Sequence, residues 1–181
     1  DNIAVTAIKR SDIPDSADYS LATHDPLVEK ISKYLVSGQF DCCHVMHSMR
    51  MASAVKAIAD NNIPYILTIT DFFLPCYRVN LVNMSGQPCE GPNNGQRCLS
   101  DCSSNEWDSS ALGQRTAQAK EIVQAATAVI CPSGFVAERL RKEYVGVPIK
   151  VIPHATNNQR LNLIQNQGAL VFAYVGSLIE E

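Results

Sequence analysis

The chain has 181 residues and a formal net charge of −3 at pH 7. This length lets one domain bury a hydrophobic core without covalent cross-links, and the weak negative charge excludes the strongly basic surface that gathers nucleic acid or anionic lipid. No apolar stretch approaches the ~20 residues that span a bilayer, so we expect neither a transmembrane segment nor a nucleic-acid partner.

The chain begins with an apolar run, NIAVTAI at residues 2–8, that predicts a strand. No cap or turn precedes it, so we expect the chain to be truncated at its amino end. Residues 23–38, THDPLVEKISKYLVSG, predict a helix with Asp25 as its N-cap, Pro26 at its first position and Gly38 as its stop.

The next segments repeat the alternation of strand and helix. FDCCHVMH at residues 40–47 predicts a short strand, and the segment from Ser48 to Asn62 predicts a helix that Ser48 caps. IPYILTIT at residues 63–70 is rich in β-branched side chains and lacks polar alternation. This pattern is typical of a strand that is covered on both faces.

After a cysteine-rich loop at residues 71–106, the alternation resumes. Residues 109–128 predict a helix, 128–133 a buried strand, 133–146 a helix capped by Ser133, and 149–155 a strand. Strands that alternate with helices predict an α/β fold with a parallel, doubly wound, Rossmann-like sheet and right-handed crossovers. Ligands of such sheets bind at the carboxyl ends of the strands.

The domain organisation follows from a change of composition after residue 155. Residues 1–155 form the predicted Rossmann-like domain, and the Asn- and Gln-rich segment 156–168 predicts an interdomain linker. Residues 169–181 then predict the first strand of a second domain that is missing from the chain. An unpaired apolar strand at 169–175 would also favour a homodimer.

Four segments together resemble the family 4 glycosyltransferases, which use nucleotide sugars and have two facing Rossmann-like domains, the GT-B fold. These segments are FDCCHVMHS, IPYILTITDFF, VICPSGFVAERLRKEYVGVPIKVIPHATN and FAYVGSLIEE. The most specific part is 129–157, which matches the family pattern at Ser133, Phe135, Leu140, Lys150, Val151, Ile152 and Pro153. It departs from that pattern at His154 and Ala155.

The resemblance implies a fragment, mainly the acceptor-side domain, of a retaining enzyme that transfers a sugar from a nucleotide sugar to an acceptor hydroxyl. The acceptor would be a sugar or a glycan or lipid-linked molecule. Because the family's donor-binding groups lie on the second domain, the resemblance implies that the isolated chain is inactive. The alternative function is a non-catalytic α/β binding module whose cysteine loop holds zinc.

The resemblance also suggests site residues at the strand ends. The predicted acceptor-binding residues are His47, Thr70, Asp71 and Arg78, and those at the donor-side rim of the cleft are Ser133 and His154. Met46 and Thr70 stand where the family has histidines. Simpler roles remain open: His44 as a hydrogen-bonded strand residue, Asp71 as a turn former and Ser133 as a helix cap.

The chain has seven cysteines, and this odd number favours reduced thiols and a cytoplasmic location. Cys76, Cys89, Cys98 and Cys102 fall in the loop at spacings of x12, x8 and x3. Some members of the resembling family carry a similar cysteine-containing insertion. Three alternatives remain open for these thiols: a structural zinc site, a pair of disulfides, or free thiols in a surface loop.

Overall fold

The computed structural model describes residues 3–13, 20–102 and 108–155. Within them, four parallel strands form one sheet in the order β1-β2-β3-β4. Their bounds are β1 Cys43–Val45, β2 Tyr65–Thr68, β3 Ala128–Cys131 and β4 Ile149–Val151. The predicted linker and second-domain strand, 156–168 and 169–181, lie outside the described residues.

Five α-helices and one short 3₁₀ turn, Arg10–Asp12, accompany the sheet within the described residues. The helices are α1 Asp25–Gly38, α2 Ala52–Asp60, α3 Gln96–Cys102, α4 Ser109–Ala125 and α5 Gly134–Glu143. The prediction of an α/β fold with a parallel sheet is therefore confirmed. The arrangement is compatible with a Rossmann-like fold.

The core lies between the two central strands and the helices that cover them. Leu67 of β2 and Val129 of β3 are paired neighbours in the sheet, and both are fully buried. Val123 of α4 and Leu140 of α5 pack into the same cluster. The apolar character of β2 and β3 follows from this burial, as is typical of central strands in a parallel sheet, whereas β4 at the edge is largely exposed.

The start of the chain differs from its prediction. Residues 3–9 form neither helix nor strand, and Ile3 and Val5 are exposed. An apolar, β-branched composition fits a strand, but a strand is stable only where a neighbour completes its hydrogen bonds. Among the described residues, β1 pairs with β2 and no strand pairs with residues 3–9.

Two predicted helix caps were wrong. His24, not Asp25, occupies the N-cap of α1, where its backbone N–H donates to the Ser53 hydroxyl at 2.9 Å. Ser48 is buried and lies before the start of α2, whose N-cap is Met51. Side-chain capping depends on the local backbone path, which residue type alone does not determine.

No helix of the described part of the chain combines the length and apolar character needed to cross a bilayer.

We predict that Leu67→Ala will lower the free energy of unfolding by about 2–5 kcal/mol, because it leaves a cavity between the central strands. Val145→Ala is the matched control, since Val145 is 79% exposed and its loss should cost less than about 0.5 kcal/mol. Urea unfolding measures both. Equal unfolding midpoints for the two variants would contradict the placement of the core.

Candidate functional site

The carboxyl ends of β1 and β2 bring together two polar side chains that are 24 residues apart in the sequence. His47 follows β1 and Asp71 follows β2, and these strands pair in parallel with Val45 opposite Leu67. Both side chains therefore lie at the same edge of the sheet. His47 Nε2 lies 2.8 Å from Asp71 Oδ2.

Two backbone N–H groups fix this pair. The Met49 N–H donates to His47 Nδ1 at 3.0 Å, so Nδ1 is an acceptor and Nε2 carries the proton that is donated to Asp71. The Phe73 N–H donates to Asp71 Oδ1 at 2.9 Å. Both histidine nitrogens are thus used, whereas each carboxylate oxygen retains a lone pair for a further donor.

Beside this pair lies an open depression of about 480 Å³. Its lining residues are His44, Met46, His47, Met49, Arg50 and Met51. Three thioether side chains give it an apolar wall next to the polar pair, a combination typical of small-molecule sites. His44 Nε2 lies 2.7 Å from the Thr68 hydroxyl, which fits its interpretation as a hydrogen-bonded strand residue.

The other predicted site residues occupy different positions. Thr70 is exposed next to Asp71, and His154 is exposed after β4. The Ser133 hydroxyl accepts the Val136 N–H at 3.3 Å, so its role as the N-cap of α5 is confirmed. Arg78 lies at the cysteine loop, where its Nη1 donates to the Met84 sulfur.

Sequence reasoning missed an aromatic contact at this edge. Phe72, directly after Asp71, makes an edge-to-face contact with Phe135 of α5 at a centroid distance of 6.2 Å. Phe135 is 62% exposed. Its exposure could have been suspected only from its place two residues after the predicted helix start, where no apolar stripe requires burial.

The loop after Asp71 contains a helix that the sequence did not predict, α3, which carries Cys98 and Cys102 one turn apart. All seven cysteines of the chain are free thiols. Burial, followed by the charges of Cys76, Cys102 and Cys89, raises the pKa of Cys98 to about 12. The main cause is burial, which disfavours the charged thiolate.

The cysteine loop does not form a recognisable metal site in this structure. Across residues 3–13, 20–102 and 108–155, no three His, Cys, Asp or Glu side chains converge in a way that could hold a metal ion. The x3 spacing correctly indicated that two thiols lie one turn apart, but it could not show the helix that holds them.

A second depression, of about 360 Å³, opens near the start of β2. Leu21 and residues of α2 and α4 line it with Tyr65, the first residue of β2. None of the predicted site residues lies there, and it is at the amino edge of the sheet. We therefore place the candidate site at the carboxyl edge.

No known family, curated protein or solved structure matches this chain.

We predict that Asp71→Ala will lower the free energy of unfolding by about 0.5–1.5 kcal/mol, because the Phe73 N–H and His47 both lose an acceptor. Asp60→Ala is the matched control. Within the described part of the chain, Asp60 makes an exposed i,i+4 ion pair with Lys56, which is worth about 0.3–0.5 kcal/mol.

Nitrogen-15 NMR tests the same pair directly. In the parent chain, the His47 Nε2–H should exchange slowly with water and give a resolved signal, since Asp71 accepts it. In Asp71→Ala that signal should disappear through fast exchange. A signal of unchanged intensity in the variant would contradict the proposed hydrogen bond.

Proposed function

We propose that this chain is the acceptor-side domain of a retaining glycosyltransferase of the GT-B type. In this role it binds a sugar or glycan acceptor, which includes a lipid-linked one, and the donor is a nucleotide sugar. The observation that carries the proposal is the fixed His47–Asp71 pair at the carboxyl edge of a parallel sheet. The sequence motif at 129–157 includes β3 and β4, which continue the same parallel sheet.

The chemistry of the pair suits an acceptor hydroxyl. The acceptor hydroxyl must point its oxygen toward the anomeric carbon of the donor. A hydrogen bond that the hydroxyl donates to a fixed acceptor atom can hold it in that orientation. Asp71 is partly exposed, with a side-chain exposure of 29%, and its oxygens have free lone pairs. His47 holds the carboxylate in place and has no free nitrogen in its neutral form.

The surroundings of the pair also suit a sugar. The Arg139 guanidinium lies over the Phe135 ring, 5.7 Å from its centroid, and Phe72 contacts the ring edge-on. The ring is still 62% exposed, and its free side offers an apolar surface against which the C–H face of a sugar ring can pack. Met46 is 58% exposed at the adjoining depression. A sugar ring has apolar C–H faces and polar hydroxyl groups. An apolar surface next to one oriented carboxylate can contact both.

Exposed apolar side chains at this edge favour a two-domain arrangement. Phe135 and Ile152 are both more than half exposed, and they follow β3 and β4 respectively. Single exposed apolar side chains are common on protein surfaces, but a second domain that faced this edge would bury both of these. In the GT-B arrangement, the second domain would face this edge and bind the donor diphosphate.

Catalysis in this arrangement is mainly a matter of placement. Holding the acceptor hydroxyl and the anomeric carbon in a reactive geometry can supply ~7–11 kcal/mol of barrier reduction. The contribution of this domain is to orient one hydroxyl. Groups that stabilise the departing diphosphate belong, in this proposal, to the second domain.

We predict that a panel of mono- and disaccharides will perturb the NMR signals of Met49, Thr70 and Phe72 in the full chain. Asp71→Ala should weaken the affinity of a binding sugar by about tenfold, as expected for a lost hydrogen bond to a charged group. Asp60→Ala should leave the affinity unchanged.

Deoxy analogues identify the hydroxyl that Asp71 orients. Removing that hydroxyl should weaken binding to the parent chain but have little further effect in Asp71→Ala, because the same interaction is already absent. Perturbations that cluster at Tyr65 and Ile122 instead would move the ligand site to the amino edge and contradict the proposal. Equal effects of every deoxy analogue in both proteins would show that Asp71 orients no hydroxyl.

A further inference from the structure

An ion pair joins the loop after β2 to helix α5, beside the aromatic contact at the carboxyl edge. Arg139 Nη1 donates to Glu90 Oε2 at 2.8 Å, and the two residues are 49 positions apart in the sequence. The same guanidinium lies over the Phe135 ring, 5.7 Å from the centroid. One side chain of α5 therefore contacts both the loop and the ring.

The backbone of the loop fixes the position of Glu90. On one side of it, the Cys89 N–H donates to the carbonyl of Leu81 at 2.7 Å. On the other side, Arg97 of α3 donates to the carbonyl of Gly91 at 2.9 Å. Because hydrogen bonds hold both neighbours of Glu90, its carboxylate reaches α5 from a defined point.

Gly91 allows the loop to approach α5 closely. Its φ of 118° lies in a region that residues with a side chain rarely adopt. A Cβ at this position would lie 3.0 Å from Oε2 of Glu143, the last residue of α5. A side chain at position 91 would therefore strain the backbone and displace Glu90 from Arg139.

The Glu90–Arg139 ion pair contributes little to folding, because water screens exposed charges. The Glu90 side chain is 62% exposed and that of Arg139 is 22% exposed. The effect of the pair is local: Glu90 limits the rotamers of a long, flexible side chain. Arg139 held in this way keeps a cation–π contact with one side of the Phe135 ring.

We propose that Glu90 is a positioning residue of the acceptor site: it holds Arg139 against Phe135 and so keeps the ring oriented for packing against a sugar. This inference rests on the proposed function, because a ligand at the carboxyl edge is what would use the ring. Phe72 contacts the ring edge-on at a centroid distance of 6.2 Å, and it directly follows Asp71. The ring and the oriented carboxylate therefore belong to the same edge.

The first measurement needs no ligand. In the full chain, the NMR signals of the Arg139 guanidinium N–H groups should be resolved and shifted by the ring current of Phe135. Glu90→Ala should broaden these signals through exchange with water and reduce the shift, whereas Glu90→Gln, which keeps an acceptor oxygen, should retain most of it. Glu138→Ala, which removes an exposed carboxylate of the same helix, is the control. Unchanged Arg139 signals in Glu90→Ala would overturn the proposal.

A backbone variant tests the same contact without changing any charge. Gly91→Ala should reproduce the effect of Glu90→Ala on the Arg139 signals, since it displaces Glu90. Gly86→Ala is the matched control, because Gly86 also has a positive φ, 71°, but a Cβ there would meet no atom within 4 Å. Far-UV circular dichroism identifies any variant that has unfolded. Unchanged Arg139 signals in folded Gly91→Ala would overturn the role of the loop.

The second measurement uses a sugar from the mono- and disaccharide panel that binds the parent chain. Glu90→Ala should weaken its affinity by about two- to fivefold, as expected when an exposed cation–π contact no longer orders the ring. In a Phe135→Ala background, Glu90→Ala should cause no further loss, because Glu90 acts through the ring. A further loss in the double variant would show that Glu90 contacts the ligand directly and would overturn the positioning role.

The two measurements separate this inference from the proposed function. If sugar binding depends on Asp71 but not on Glu90, the proposed function stands and the positioning role is wrong. If no sugar of the panel binds, the proposed function is wrong, and the Arg139 signals alone decide whether Glu90 orders the ring.

Discussion

Parallel pairing of β1 with β2 is the constraint on which the candidate site depends. The register places Val45 opposite Leu67, so the residues that follow each strand emerge at the same edge. That pairing converts a separation of 24 residues into a hydrogen bond of 2.8 Å between His47 and Asp71. Had the strands been antiparallel, the same side chains would lie at opposite ends of the sheet.

One buried side chain connects the loop after β2 to helix α4. The first residues of the loop present Asp71 and Phe72 to the carboxyl edge of the sheet. Arg115 of α4 donates to the carbonyls of Phe73 and Leu74, the next two residues of the loop. The position of the edge residues therefore depends in part on a contact that α4 makes inside the protein.

The sequence predicted those features that local pattern determines. The apolar runs around Leu67 and Val129 indicated buried strands, and Ser133 before an amphipathic segment indicated a cap; both are confirmed. The sequence did not predict the features that depend on tertiary contacts. Residues 3–9 have a strand-like composition but no paired neighbour, α3 is too short to show helical periodicity, and Arg115 resembles any polar residue on a helix although it is buried. The edge position of His47 and Asp71 followed from strand order, but their contact depends on the Met49 and Phe73 N–H groups.

The central claim is that His47 and Asp71 act as one unit that presents a carboxylate to a sugar hydroxyl. A double-mutant cycle on sugar affinity, with His47→Ala, Asp71→Ala and both changes together, tests it most directly. If His47 acts only by holding Asp71, the double variant should bind no more weakly than Asp71→Ala alone. Losses that add independently would contradict the claim, because each residue would then contact the ligand by itself.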